Sequence, residues 1–186
     1  MTDDTSDEAL MLRYQAGDAG AFDELYARHR GGLFRFIRRQ CRSPAQAEEL
    51  FQDVWMNLIN ARGRYRVEAQ FRTWLYTLAH NRLIDHYRSA SRPDAVLFEN
   101  DDALPEPVAS RVEEPHVQAE SRQQGMRILQ LVETLPAPQR EAFLLREEGG
   151  LSVEEIAAAT GATMEAAKSR LRYAVARLRD GLKEFV

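Results

Sequence analysis

Apolar residues along this chain return every three or four positions and almost nowhere every two. A helix face needs that period, because a turn takes 3.6 residues, whereas a half-buried strand alternates. The chain therefore reads as all-α. The pattern breaks once. Residues 93 to 115 hold four of the seven prolines and few large apolar side chains. Such a segment cannot bury enough surface to offset the entropy of ordering it. The expectation is two small helical domains, residues 1–92 and 117–186, joined by a flexible acidic linker over 93–116.

Local signals set the helix ends. A first helix is expected from about Asp7 to Gln15, stopping at Gly17. A second starts near Asp18 and carries Phe22, Leu25, Tyr26, Leu33, Phe36 and Ile37 on one side. Ser43-Pro44 opens a third: Ser43 caps, Pro44 fits the first turn, and Gln46 completes a capping box. Ala47, Leu50, Phe51, Val54, Trp55 and Leu58 form its apolar stripe. Gly63 helps end it within a basic loop, Arg62 to Arg66, and a fourth helix runs from about Ala69 to Ser89. Helices resume near Val117, pause at Leu135-Pro136, and restart at Pro138 up to Gly149-Gly150.

The net charge of −4 conceals an uneven distribution. Residues 20 to 92 carry 13 Arg against 7 Asp and Glu, a net of +6. Residues 93 to 122 carry 2 Arg against 8 Asp and Glu, a net of −6. Residues 163 to 186 carry 6 Lys and Arg against 3 Asp and Glu, a net of +3. Two basic blocks flank an acidic one, and each basic block presents a favourable field to phosphate. The single cysteine, Cys41, excludes an internal disulfide and a multi-cysteine zinc site. His29, His80, His86 and His116 lack metal-ligand spacing, and there is no phosphate-binding glycine loop. No metal, no cofactor and no small-molecule substrate are expected. The acidic start MTDDTSDEAL has no apolar core, and no apolar window approaches the roughly 18 residues of a membrane span, so a cytoplasmic setting is expected.

Residues 151 to 179 carry the sharpest motif. Ser152 and Glu155 form a capping box ahead of a short helix with Val153, Ile156 and Ala157 inward. Gly161 sits in the turn, and Thr163 caps a second helix whose N-terminal dipole suits Glu165. Ala167, Leu171, Val175 and Leu178 form its inner stripe. Lys168, Ser169, Arg172, Tyr173 and Arg179 lie on the other side. This is a helix-turn-helix whose second helix has the dimensions to enter a major groove.

The fourth helix, FRTWLYTLAHNRLIDHYR, has a core stripe of Phe71, Trp74, Leu75, Leu78 and Leu83. Its remaining residues interleave Arg72, Tyr76, Thr77, His80, Asn81, Ile84, Tyr87 and Arg88. Aromatic rings stack on bases and arginines follow the backbone, so the pattern suits single-stranded nucleic acid. The helix AEELFQDVWMNL instead clusters Glu48, Glu49, Gln52 and Asp53 opposite its apolar side, a surface for a basic protein partner.

Four segments in order carry a resemblance: GDAGAFDELYARHRGGLFRFI, AEELFQDVWMNL, FRTWLYTLAHNRLIDHYR and LPAPQREAFLLREEGGLSVEEIAAATGATMEAAKSRLRYAVARLR. Together they resemble the extracytoplasmic-function, or group IV, sigma factors of the sigma-70 family over nearly the whole chain. The resemblance implies a sigma-2-like four-helix domain and a sigma-4-like helix-turn-helix domain. It implies binding to core RNA polymerase through Glu48, Glu49, Gln52 and Asp53. It implies reading of a −35 element by Lys168, Ser169, Arg172 and Tyr173. A −10 element would be read and opened by Arg64, Tyr65, Arg66, Arg72, Tyr76, His80 and Asn81, with a flipped base near the loop. An anti-sigma factor is the further implied partner. The competing readings are a DNA-binding regulator that acts without polymerase, and a sigma mimic that sequesters an inhibitor. An enzyme fits least.

Overall fold

The computed structural model describes residues 5–68, 70–90 and 117–183. These residues form helices and no strand. Four helices precede the undescribed linker: α1 (Asp7–Gln15), α2 (Ala19–Arg38), α3 (Pro44–Ala61) and α4 (Phe71–Ala90). Four follow it: α5 (Val117–Thr134), α6 (Ala137–Glu147), α7 (Val153–Thr160) and α8 (Met164–Lys183). The linker expected over residues 93–116 lies outside the described residues.

Caps explain the sharp starts. Ser6, Asp18 and Ser43 each accept a backbone N–H three residues on, satisfying donors that a helix start leaves open. Gln46 departs from the expected capping box. Its side-chain oxygen accepts from the Arg42 N–H at 3.2 Å rather than from Ser43, while its amide nitrogen meets His86 Nε2 at 2.6 Å. A contact to α4 has drawn the side chain past the local motif.

The expected stripes of α2, α3 and α4 meet in one core. Leu25, Leu33, Phe36 and Ile37 pack with Leu50, Val54, Leu58, Phe71 and Leu75, all buried. Phe22, Tyr26 and Phe51 ring Trp55 at the edge of this core. Helix α1 closes one end. Asp7 receives both Arg28 and His29, and Glu8 accepts the N–H of Phe71 at 2.9 Å, which caps the first turn of α4 from outside. Burial opposes ionisation of Asp7, but the hydrogen bond and charge of His29, reinforced by Arg28, hold its carboxyl below the usual range.

The C-terminal helices build a second, smaller cluster in which α8 lies across α6 and α7. Val132, Leu144, Leu145, Ile156, Ala174 and Leu178 are buried there. Gly181 lets α5 approach α8: a β-carbon at that position would stand 2.6 Å from a methyl group of Leu131. The two clusters touch. Helix α4 packs along α7, and the buried residues of both halves form one continuous apolar set.

Candidate nucleic-acid interface

The C-terminal motif folds as the sequence indicates. Ser152 Oγ accepts the Glu155 N–H at 3.2 Å, and Glu155 Oε2 accepts the Ser152 N–H at 2.7 Å, so both arms of the capping box are made. Gly161 ends α7 at φ +62°, a left-handed conformation that costs glycine nothing. Thr163 Oγ1 then accepts the Ala166 N–H at 3.2 Å and starts α8.

Along α8 the inward residues are Ala167, Ala174 and Leu178, with Leu171 half-buried. Val175, expected inward, is 40% exposed. Steps of four, three and four keep 167, 171, 174 and 178 in one narrow stripe, and a second step of four carries Val175 off it. Val175 lines an apolar groove of about 530 Å³ with Ile128, Phe143, Leu178 and Leu182, edged by Arg179 and Lys183. The opposite side is open. Lys168, Arg172 and Tyr173 are exposed and Ser169 is half-buried, one face near the start of the helix. The Arg172 guanidinium lies 5.0 Å from the centre of the Tyr173 ring, which holds both side chains extended from the same patch.

The N-terminal residues expected to read DNA divide between two sides of α4. On one side Arg64 and Asn81 converge with Asn57, Asn60, Ala61, Leu78, Arg82 and Asp85 around a cavity of about 310 Å³. Arg64, Arg66 and Asn81 are all exposed. Asn57 and Asn60 were not anticipated. Their signal was available: two amides three residues apart at the end of α3, off its apolar stripe. The cavity offers amide donors and acceptors beside the Arg64 guanidinium, the mixture that reads a base edge. Arg82 at its wall pairs with Asp53 at 2.7 Å.

On the other side, Arg72, Tyr76 and His80 face the C-terminal helices. Tyr76 is 2% exposed, and its hydroxyl donates to the Glu148 carbonyl at 3.1 Å. Burial beside Glu148 pushes its phenol well above the ordinary range. His80 Nδ1 lies 2.7 Å from Glu141 Oε1. Arg72 reaches the turn at Gly150. The seven residues therefore do not form one open face, and the aromatic member of this half is covered. Tyr65 is also 2% exposed, packed on Trp74 and Phe71 inside the N-terminal core. Among the described residues its hydroxyl has no hydrogen-bond partner, and burial, with Glu8 and Asp7 adding, pushes its pKa up to about 12. It supports the basic loop from within, and its ring is not presented for stacking.

On α3, Glu48, Glu49 and Gln52 are exposed together and Asp53 is half-buried beside them. This acidic ridge faces away from the buried side of the helix. Among the described residues no cluster of His, Cys, Asp and Glu could hold a metal, and no helix is long and apolar enough to cross a membrane.

An exposed, basic face on α8 and a polar, arginine-edged cavity between α3 and α4 are the two surfaces whose chemistry suits DNA. Comparison with known proteins gives the chain's family. Residues 25–93 match the family model for sigma-70 region 2, and residues 125–178 match that for sigma-70 region 4. RNA polymerase sigma factor CarQ of Myxococcus xanthus is 33% identical, over 94% of this chain and 96% of its own. ECF RNA polymerase sigma factor SigD of Mycobacterium tuberculosis is 34% identical, over 93% of this chain and 82% of its own. The fold is similar to that of the sigma factor RpoE of Bartonella quintana, solved with the anti-sigma factor NepR. That likeness has a TM-score of 0.67 and 25% identity, over 87% of this chain and 96% of that one. The chain belongs to the extracytoplasmic-function sigma factors of the sigma-70 family, regulatory proteins that direct transcription initiation.

Proposed function

We propose that this sigma factor reads a promoter at two points with different physics. Helix α8 enters the major groove of the −35 element and reads base edges with Lys168, Ser169, Arg172 and Tyr173. The carrying observation is the exposure of that face on a helix fixed by a complete capping box and a left-handed glycine turn. The cavity between α3 and α4 takes a base flipped from the opened −10 element, with Asn57, Asn60 and Asn81 on its edge and Arg64 and Arg66 on the adjoining phosphates. Arg72, Tyr76 and His80 add to this surface only when α4 is uncovered. Tyr65 contributes by shaping the loop.

The acidic ridge of Glu48, Glu49, Gln52 and Asp53 docks on a basic surface of core polymerase. The working division is residues 1–92 for core and −10 binding, 93–116 for the linker, and 117–186 for −35 binding. Two weak contacts on one tethered chain select for their spacing as well as their sequence. The chain carries no catalytic site in this reading and works in the cytoplasm with polymerase. RpoE of Bartonella quintana is held by an anti-sigma factor, and a partner of that kind is proposed here too.

Run-off transcription by core polymerase on fragmented genomic DNA, with and without the protein, tests the proposal. New discrete transcripts that vanish in the Arg172→Ala variant are expected. Sequence-specific binding by the free protein without new transcripts would replace it with a regulator that acts without polymerase.

A further inference from the structure

Glu165 is the acidic side chain in the first turn of α8, and it is exposed. It stands three residues before Lys168, four before Ser169 and seven before Arg172. Residues so spaced are neighbours on a helix surface. At 3.6 residues per turn, Lys168, Ser169, Arg172 and Tyr173 spread over an arc of about 140°, and Glu165 falls near its middle. The carboxylate therefore belongs to the face proposed for recognition and leads it, one turn nearer the start of the helix.

The helix itself leaves this side chain unused. Thr163 Oγ1 already caps the start by accepting the Ala166 N–H. On α7, Glu155 lies three residues after its cap and accepts the cap's N–H. Glu165 lies two residues after Thr163, and among the described residues its side chain makes no hydrogen bond or ion pair. Arg172 turns to the Tyr173 ring instead. A favourable interaction with the helix dipole remains, but an acidic residue anywhere round the first turn supplies it.

The side chains of this face differ in what they offer a base. Lys168 and Arg172 only donate, and the hydroxyls of Ser169 and Tyr173 do either. Glu165 only accepts. In a major groove guanine and thymine present acceptors, which a carboxylate repels. Adenine presents an amine beside its N7 acceptor, whereas cytosine presents its N4 amine with no acceptor beside it. An acceptor-only side chain is therefore selective for cytosine.

We propose that Glu165 is a specificity-determining residue of the −35 contact, taking the N4 amine of a cytosine in the major groove. The inference rests on the reading in which α8 enters that groove. Lys168 and Arg172 take guanine edges and phosphates alongside, and Glu165 rejects the other bases at one position, because an unmet carboxylate among phosphates is repelled.

Holoenzyme assembled from core polymerase and the full chain tests it, on promoter fragments recovered by run-off transcription and randomised over the −35 segment. Retained fragments are sequenced for wild type, Glu165→Ala, Glu165→Gln and Arg172→Ala. Wild type is expected to favour cytosine at one position by on the order of tenfold. Glu165→Ala is expected to flatten that position alone. Glu165→Gln is expected to move the preference there to adenine, whose N6 and N7 a glutamine amide meets together. Unchanged preferences in both variants would overturn the proposal. So would a loss spread evenly over all positions with a lowered melting temperature, the signature of a role in helix stability alone. Should Arg172→Ala alone alter the −35 preference, α8 still reads the groove and only the role of Glu165 falls. Should wild type show no −35 preference, both fall.

Discussion

The two surfaces proposed to face DNA differ in how they are held. On α8 the recognition side chains stand free, and everything that fixes them is local: a capping box, a glycine turn and a stripe of small residues beneath. On α4 half the candidate side chains are occupied by another part of the same molecule. The first surface is ready as folded. The second is partly spoken for, because Tyr76 and His80 are engaged by Glu148 and Glu141. The chain thus exposes the face of α8 proposed to read sequence while covering part of the face of α4 proposed to hold an opened strand.

Perturbations of four sizes break or sharpen that contrast. The largest acts beneath α4. Leu75 is fully buried, and Leu75→Ala is expected to lower the unfolding free energy by about 2–5 kcal/mol in a urea titration. The exposed face of α8 offers no position of comparable cost. Next, Arg172→Ala is expected to cost roughly 1–3 kcal/mol of discrimination at the −35 element. Fluorescence anisotropy of holoenzyme on promoter variants reads it. Asn81→Ala should instead slow promoter opening, followed by permanganate footprinting, and leave −35 affinity unchanged.

Loss of an N-cap comes third. Ser152→Ala is expected to cost about 0.5–2 kcal/mol in thermal melts. Because Glu155 also receives Thr73, this change should loosen α7 against α4, whereas Ser43→Ala should touch the N-terminal half alone. The smallest effect is chemical. Burial pushes the Cys41 thiol up to about 11, against a weaker opposing pull from Arg38. The reactive thiolate is therefore scarce at neutral pH and grows as pH rises toward that value. Iodoacetamide at pH 7.5 should label native Cys41 far more slowly than the urea-unfolded chain. Equal rates would show that the thiol is not protected.

What could be read from the sequence was what adjacent residues decide. Asp7–Gln15 was legible because Gly17 stops it, and the α7–α8 motif because each cap lies within three residues of its partner. What escaped was settled at a distance. Gln46 was drawn off its box by His86, forty residues away. Tyr76 reads as an exposed aromatic on α4 because the residue that covers it, Glu148, is seventy-two positions further on. Val175 was misplaced by a periodicity that admits two nearly equal stripes. Asn57 and Asn60 escaped because polar residues on a helix end normally mean only solvent.

The close approach at Gly32 has a consequence for how such a chain can diverge. A β-carbon at position 32 would stand 2.7 Å from the Glu148 carbonyl oxygen, so a single codon change on α2 would disturb the seat of the α6–α7 turn while leaving the turn's own sequence untouched.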